Sequence, residues 1–335
     1  MLRIPLAVLA MFTLAAGTSS AASYNFQTIN NPRDLNFNQL LGINNEGVIA
    51  GYFGDSLVVP NNGYTWTKAG GFVAENFTGA TQTQVTAINN VLTKGTYNTA
   101  GFYVDTANAN HGFTQIGGTQ STVDNPATTA TPPFNQLLGL NDSNTAVGFY
   151  TDAANDAHGY EYNVSTKTFT PIILPTSFGA VSTTASAINN GGWVAGFYTD
   201  GAGNVHGFLD ESGTFVSLDA PKGNGTNTSF FGLNNKGEVV GSYVNASGTN
   251  GLVYDWMTKT WTTVNDPKQS FTPAFGVSGT TINGVNDLGD LVGFYSDGTH
   301  VNGLLASTPE PGSVGLLLLG SGLVLGARLR RRHRS

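Results

Sequence analysis

The sequence predicts an all-β chain folded as a six-bladed β-propeller with four-stranded blades, and three observations carry that prediction. A unit of 45 to 52 residues recurs six times between about residue 40 and residue 305, a period that belongs to propellers and solenoids. Each unit divides into four short apolar or aromatic runs separated by turn residues, as in Leu137–Leu140, Ala146–Tyr150, Gly159–Asn163 and Thr168–Leu174, which is the content of one blade. The ends of the array are also offset in a complementary way. Fourth-strand segments end alike at Thr122–Pro126, Phe215–Pro221 and Trp261–Pro267; Phe26–Pro32 matches them ahead of the first unit, and the sixth unit stops after its third strand near Leu305. A strand without a blade and a blade without its last strand complete each other in a closed ring, which removes two open sheet edges. A linear solenoid would not need the offset and would want distinct caps.

At the N-terminus, residues 1–22 have Arg3 in a basic start, an apolar stretch Ile4–Gly17 and the small residues Ser20, Ala21 and Ala22. This is the layout of a secretory signal peptide, and it implies passage through the Sec translocon, cleavage by signal peptidase and a mature start at Ser23. The predicted propeller occupies 23–306.

Within each unit the first strand carries a small residue at Gly42, Ala87, Gly139, Ala187, Gly232 and Gly284, where six strands converge on the axis and leave little room. One aliphatic residue later stands an asparagine at Asn44, Asn89, Asn141, Asn189, Asn234 and Asn286, followed by Asn or Asp and often by Gly. Asn and Gly accept positive φ and the Asn side chain bonds nearby backbone, so this segment is the hairpin between first and second strands. The second strand contributes Gly51, Gly101, Gly148, Gly196, Gly241 and Gly293, each with an aromatic residue two positions on.

Asp55, Asp105, Asp152, Asp200 and Asp297, with Asn245 in the remaining unit, come next and cap the turn to the third strand. These oxygen-rich loops are weak calcium candidates, chiefly at Asp152 and Asp200, but no EF-hand pattern is present and no other cofactor is expected. The third strand opens on His111, His158 and His206 or on Asn62, Asn250 and Asn302, each before a glycine. A position that accepts His or Asn reads as a hairpin hydrogen-bond partner, not a metal ligand. His300 is outside this register. The longest loops join fourth to first strands, and Phe134, Phe178, Phe271 and Phe275 on them either stack on sugar rings or plug the loops into the core.

The C-terminal segment 307–335 reads Pro309, Glu310 and Pro311, then an apolar run 312–327, then a basic tail 328–335 with Arg328, Arg330, Arg331 and Arg332. The run is about 24 Å long as a helix, able to span a membrane if its flanks adapt, and the arginines hold that end on the cytoplasmic side. These three parts in this order resemble the PEP-CTERM sorting signal. That resemblance implies recognition by an exosortase, transient anchoring in the inner membrane, and transfer to the cell surface or extracellular matrix, often in an exopolysaccharide-producing setting. The HGF, HGY and HGF elements at His111, His158 and His206 resemble the HAF family of extracellular repeats, with Gly in place of Ala.

Composition agrees with export. There is no cysteine, so neither disulfides nor thiolate metal sites contribute. The chain carries a formal charge of -7, more negative still without its two basic ends, which excludes nucleic acid as a partner. No GxSxG, phosphate-loop or HExxH pattern occurs, and catalytic residues are expected to be none. The reading is an exported, non-enzymatic binding or structural protein linked to exopolysaccharide or biofilm. The alternative is a secreted carbohydrate-active hydrolase or lyase with its acid and base on the long loops.

Overall fold

A computed structural model describes residues 24–54, 58–221 and 227–308. The signal peptide 1–22, Asp55, the motif Pro309–Pro311, the apolar run 312–327 and the basic tail lie outside the described residues.

The chain enters through β1 (Asn25–Thr28). Blade 1 follows as β2 (Asn38–Ile43), β3 (Ile49–Phe53), β4 (Asn62–Thr67) and β5 (Gly71–Ala74). Blade 2 is β6 (Gln82–Thr93), β7 (Thr96–Val104), β8 (Asn110–Ile116) and β9 (Thr119–Val123). Blade 3 is β10 (Asn135–Leu140), β11 (Thr145–Thr151), β12 (Ala157–Asn163) and β13 (Thr168–Pro171). A 3-10 turn at Thr176–Phe178 leads to blade 4, β14 (Ala180–Ile188), β15 (Val194–Asp200), β16 (Val205–Glu211) and β17 (Thr214–Leu218). Blade 5 is β18 (Thr228–Leu233), β19 (Glu238–Asn245), β20 (Gly248–Asp255) and β21 (Thr260–Thr263). Blade 6 is β22 (Thr280–Val285), β23 (Leu291–Ser296) and β24 (Val301–Ser307), and β1 is its fourth strand.

All six sheets are four-stranded and antiparallel in this order. The predicted closure is therefore observed, with Asn25 opposite Ser307 and Thr28 opposite Leu304. Ser307 belongs to the last strand rather than to the segment after it, so the fold runs slightly past the boundary expected at 306.

Each first strand meets its second through a β-bulge at the same place, between Leu40 and Gly42 in blade 1 and between Ile282 and Gly284 in blade 6. The bulge turns one extra residue per blade toward the axis: Leu41, Thr86, Leu138, Ser186, Phe231 and Asn283. The small residue after it packs against the neighbouring first strand. A Cβ on Gly232 would stand 2.7 Å from the carbonyl oxygen of Asn283, and one on Gly139 would stand 2.9 Å from the Cα of Ala187.

The bulge also explains the second recurrent glycine. Opposite each bulge a first-strand carbonyl bends in, so that a Cβ on Gly51, Gly101, Gly148, Gly196, Gly241 or Gly293 would lie 1.9 to 2.4 Å from that oxygen. Core packing then runs from blade to blade. Ala195 and Leu209 of blade 4, for example, share one cluster with Phe230, Leu252 and Tyr254 of blade 5.

The asparagine turns carry more than local chemistry. Asn44 Oδ1 accepts from the backbone N–H groups of Glu46 and Val48, closing the turn as expected. Its Nδ2 donates to the carbonyl of Asn89 in the next blade, and this repeats through Asn141, Asn189, Asn234 and Asn286 back to Asn44 at 2.9 to 3.2 Å. A second ring lies beside it: Asn45 N–H to Asn90, then Asp142, Asn190, Asn235, Asp287 and back to Asn45, at 2.7 to 2.9 Å. Blade 2 departs from the pattern. There the strands continue past Asn89 and Asn90, and the hairpin turns at Lys94 and Gly95, both with positive φ, as a two-residue type I′ turn requires.

Candidate functional site

Topology sorts the loops onto two faces. The asparagine turns and the third-to-fourth-strand turns lie on one, and the second-to-third-strand turns and fourth-to-first-strand loops lie on the other, the loop face. Both described chain ends leave the turn face, since Asn25 pairs with Ser307.

On the loop face the predicted Asp caps are all in place among the described residues. Asp105 Oδ1 accepts from Ala107 and Ala109 N–H, Asp152 from Ala154 and Asp156, and Asp200 from Ala202 and Asn204. The other carboxylate oxygen faces the histidine: His158 Nε2 lies 2.9 Å from Asp152 Oδ2, and His206 sits between Asp200 at 3.4 Å and Asp219 at 2.9 Å. Each histidine ring stacks on the tyrosine of its own blade, as His206 does on Tyr198 at 5.0 Å.

These bonds set the ionisation. Asn204 Nδ2, then the backbone, holds Asp200 down to about 2. Burial alone would depress His206, but Asp219 and Asp200 outweigh it and raise it. Asp152 and Asp200 thus spend both oxygens inside their own turns, and among the described residues no group of three or more His, Asp or Glu gathers to hold a metal.

The loop aromatics divide. Phe134 is half-buried against Phe149, and Phe178 is half-buried and stacks on Tyr198 at 5.5 Å. Phe271 and Phe275 stay 39% and 40% exposed, Phe275 standing edge-on to Phe37.

The most site-like feature was not singled out by sequence reasoning. Over blade 2, on the loop face, lies a cavity of about 300 Å³ walled by Gln82, Thr83, Gln84, Phe102, Val104 and Asn110, with Asn61 of blade 1 and Gln136 of blade 3 on its flanks. It shares Gln84, Phe102 and Gln136 with an axial cavity of about 190 Å³, which continues over the bulge residues Leu41, Thr86, Leu138, Ser186, Phe231 and Asn283. The combined space falls in the range of small-molecule sites.

Ring packing distinguishes this position from its counterparts. The first residue of each second-strand aromatic pair faces this level of the propeller. Phe37 covers Tyr52, Phe134 covers Phe149, and Phe231 covers Phe197, with ring centroids 5.9 to 6.0 Å apart; Phe294 packs into the cluster of Phe37 and Val277, and blade 5 has Ser242 at this place. The loop before blade 2, residues 75–81, is the shortest of the six. Its Phe77 stacks on Tyr103 instead, centroids 3.9 Å apart, and Phe102 is left as a cavity wall.

Polar groups in this space are amides and hydroxyls. Gln84 Nε2 donates to Asn61 Oδ1 at 2.6 Å. Thr86 Oγ1 donates to the Leu137 carbonyl and Asn283 Nδ2 to the Leu40 carbonyl. Asn110 Oδ1 and Ser186 Oγ, on residues 8% and 3% exposed, have no partner among the described residues. Leaving such a group buried and unpaired costs about 1–3 kcal/mol. No ionisable side chain lines either cavity.

No protein-family profile matches the chain. No curated protein matches it in sequence. Among solved structures it is similar to the SapL1 lectin in complex with alpha-methyl fucoside, at 14% identity over 82% of this chain and 95% of that one, TM-score 0.52. It is also similar to a variant of the Aleuria aurantia lectin in complex with alpha-methyl-L-fucoside, at 12% identity over 82% and 96% of the two chains, TM-score 0.51. At such identities the likeness is one of fold.

Proposed function

We propose that this chain is an exported, non-enzymatic carbohydrate-binding propeller of the cell envelope or extracellular matrix, with exopolysaccharide as its partner. The observation that carries the reading is the loop-face cavity, where side-chain amides and hydroxyls surround the ring of Phe102. Amides pair with sugar hydroxyls, an aromatic face takes the apolar face of a sugar ring, and walls without carboxylate or imidazole supply no acid or base for turnover. The fold likeness to two lectins solved with fucosides supports the same direction. The tail fits delivery to that setting: Pro309–Pro311, the apolar run and the arginines act as a sorting signal read by an exosortase, after export through the Sec translocon.

A glycan array probed with the full chain in detergent, beside a hydrolase and lyase screen on the same glycans, tests the binding role. Retention of one or more glycans without turnover is the expected result. Turnover without stable binding would replace it with the enzyme reading.

A further inference from the structure

Resting on that carbohydrate-binding reading, we infer that the propeller holds one deep sugar seat per chain, over blade 2 between Asn61 of blade 1 and Gln136 of blade 3, and that this seat takes an uncharged, hydroxyl-rich residue. The repeat offers six similar positions, and among the described residues Phe102 is the second-strand ring that packs on no other aromatic ring and instead walls a cavity. At four of the others the corresponding ring packs against a neighbour: Tyr52 on Phe37, Phe149 on Phe134, Phe197 on Phe231, and Phe294 within the Phe37 and Val277 cluster. At the fifth, Ser242 provides no ring.

The cavity beside Phe102 has the marks of a built site. Asn110 Oδ1 is an acceptor with no donor and Ser186 Oγ is unpartnered, both on residues more than nine-tenths buried and both on walls of the connected cavities. A ligand hydroxyl is the chemistry that satisfies an orphaned amide oxygen. A carboxylate-bearing sugar would meet no cation there, and burying an unpaired charge is unfavourable. The seat therefore discriminates neutral residues from uronic acids.

Ligand-observed NMR on the full chain, with the neutral methyl glycosides of fucose, rhamnose, mannose, galactose and glucose set against galacturonic acid, finds the sugar. Isothermal titration with the best of them then counts the sites. We expect a stoichiometry of one and at least tenfold weaker binding of galacturonic acid. Asn110→Ala removes an acceptor that the fold does not use, so it should leave the melting temperature unchanged while weakening the sugar about tenfold, the loss of one hydrogen bond; Gln136→Ala is a second variant on the opposite wall.

A stoichiometry near six, or sugar binding indifferent to both variants, overturns the single seat while the carbohydrate-binding role stands. Stronger binding of galacturonic acid than of any neutral glycoside overturns the neutral class. Failure of every probe here, together with an empty array, overturns both readings.

Discussion

Glu75 follows β5 in blade 1, and its carboxylate oxygen accepts the hydroxyl of Thr99 in blade 2. Burial pushes its pKa up from 4.5 to about 7, and the Thr99 bond offsets only part of that. Through this window the folded chain holds the proton and the unfolded chain has lost it. Stability therefore falls as pH rises from about 4.5 to about 7, by about 1.4 kcal/mol per pH unit for this one group. Glu75→Gln should remove that slope and raise the melting temperature at pH 8, measured by thermal denaturation from pH 5 to 8; a slope that survives the substitution assigns it to another group. The Asp caps were readable from the sequence because they are local, Asp152 capping residues two and four positions ahead, whereas the pairing of its other oxygen with His158 emerged only from the structure.

At the scale of the element, the bulge decides which positions must be glycine. Gly148 would place a Cβ 1.9 Å from the Gln136 carbonyl oxygen, backbone that cannot swing aside, whereas a Cβ on Gly201 meets nothing within 4 Å. We expect Gly148→Ala to destabilise by about 4 kcal/mol or more and Gly201→Ala to change stability by less than about 0.5 kcal/mol, both read by urea denaturation. Equal effects would mean that the bulge relaxes. The recurrence of these glycines was plain in the sequence, but their reason was not, because the clash comes from the bend in the partner strand. The asparagines show the same division. Their turn-closing bonds reach two and four residues ahead, while their Nδ2 donors reach 45 to 52 residues along the chain, or 242 where the ring closes.

For the whole molecule, closure depends on β1. Tyr24 and Phe26 pack against the blade 6 cluster around Leu304, and β1 covers the edge of β24 that would otherwise invite pairing with other chains. Deleting Ser23–Thr28 should abolish cooperative unfolding and promote aggregation, while deleting Gly312–Ser335 should leave the melting temperature unchanged. Calorimetry with light scattering tests both; a stable, monomeric chain without β1 would show that closure is dispensable. The last strand ends at Ser307, and Thr308 Oγ1 donates to the Leu288 carbonyl on the turn face. The described chain therefore ends on the face opposite the cavity.

The sequence by itself determined the blade count, the four-strand unit, the turn chemistry and the closing strand. Each is written in spacings of a few residues or in repetition, and local hydrogen bonds and hydrophobic alternation act at that range. Only the tertiary structure decided that a polar cavity forms beside Phe102, and that two asparagine rings circle the axis. That cavity is a difference in packing: Phe102 has no aromatic partner among the described residues, whereas Phe149 packs on Phe134 and Phe197 on Phe231. Nothing in the spacing of Gln84, Asn110 and Gln136 reveals that they line one space until the ring has closed.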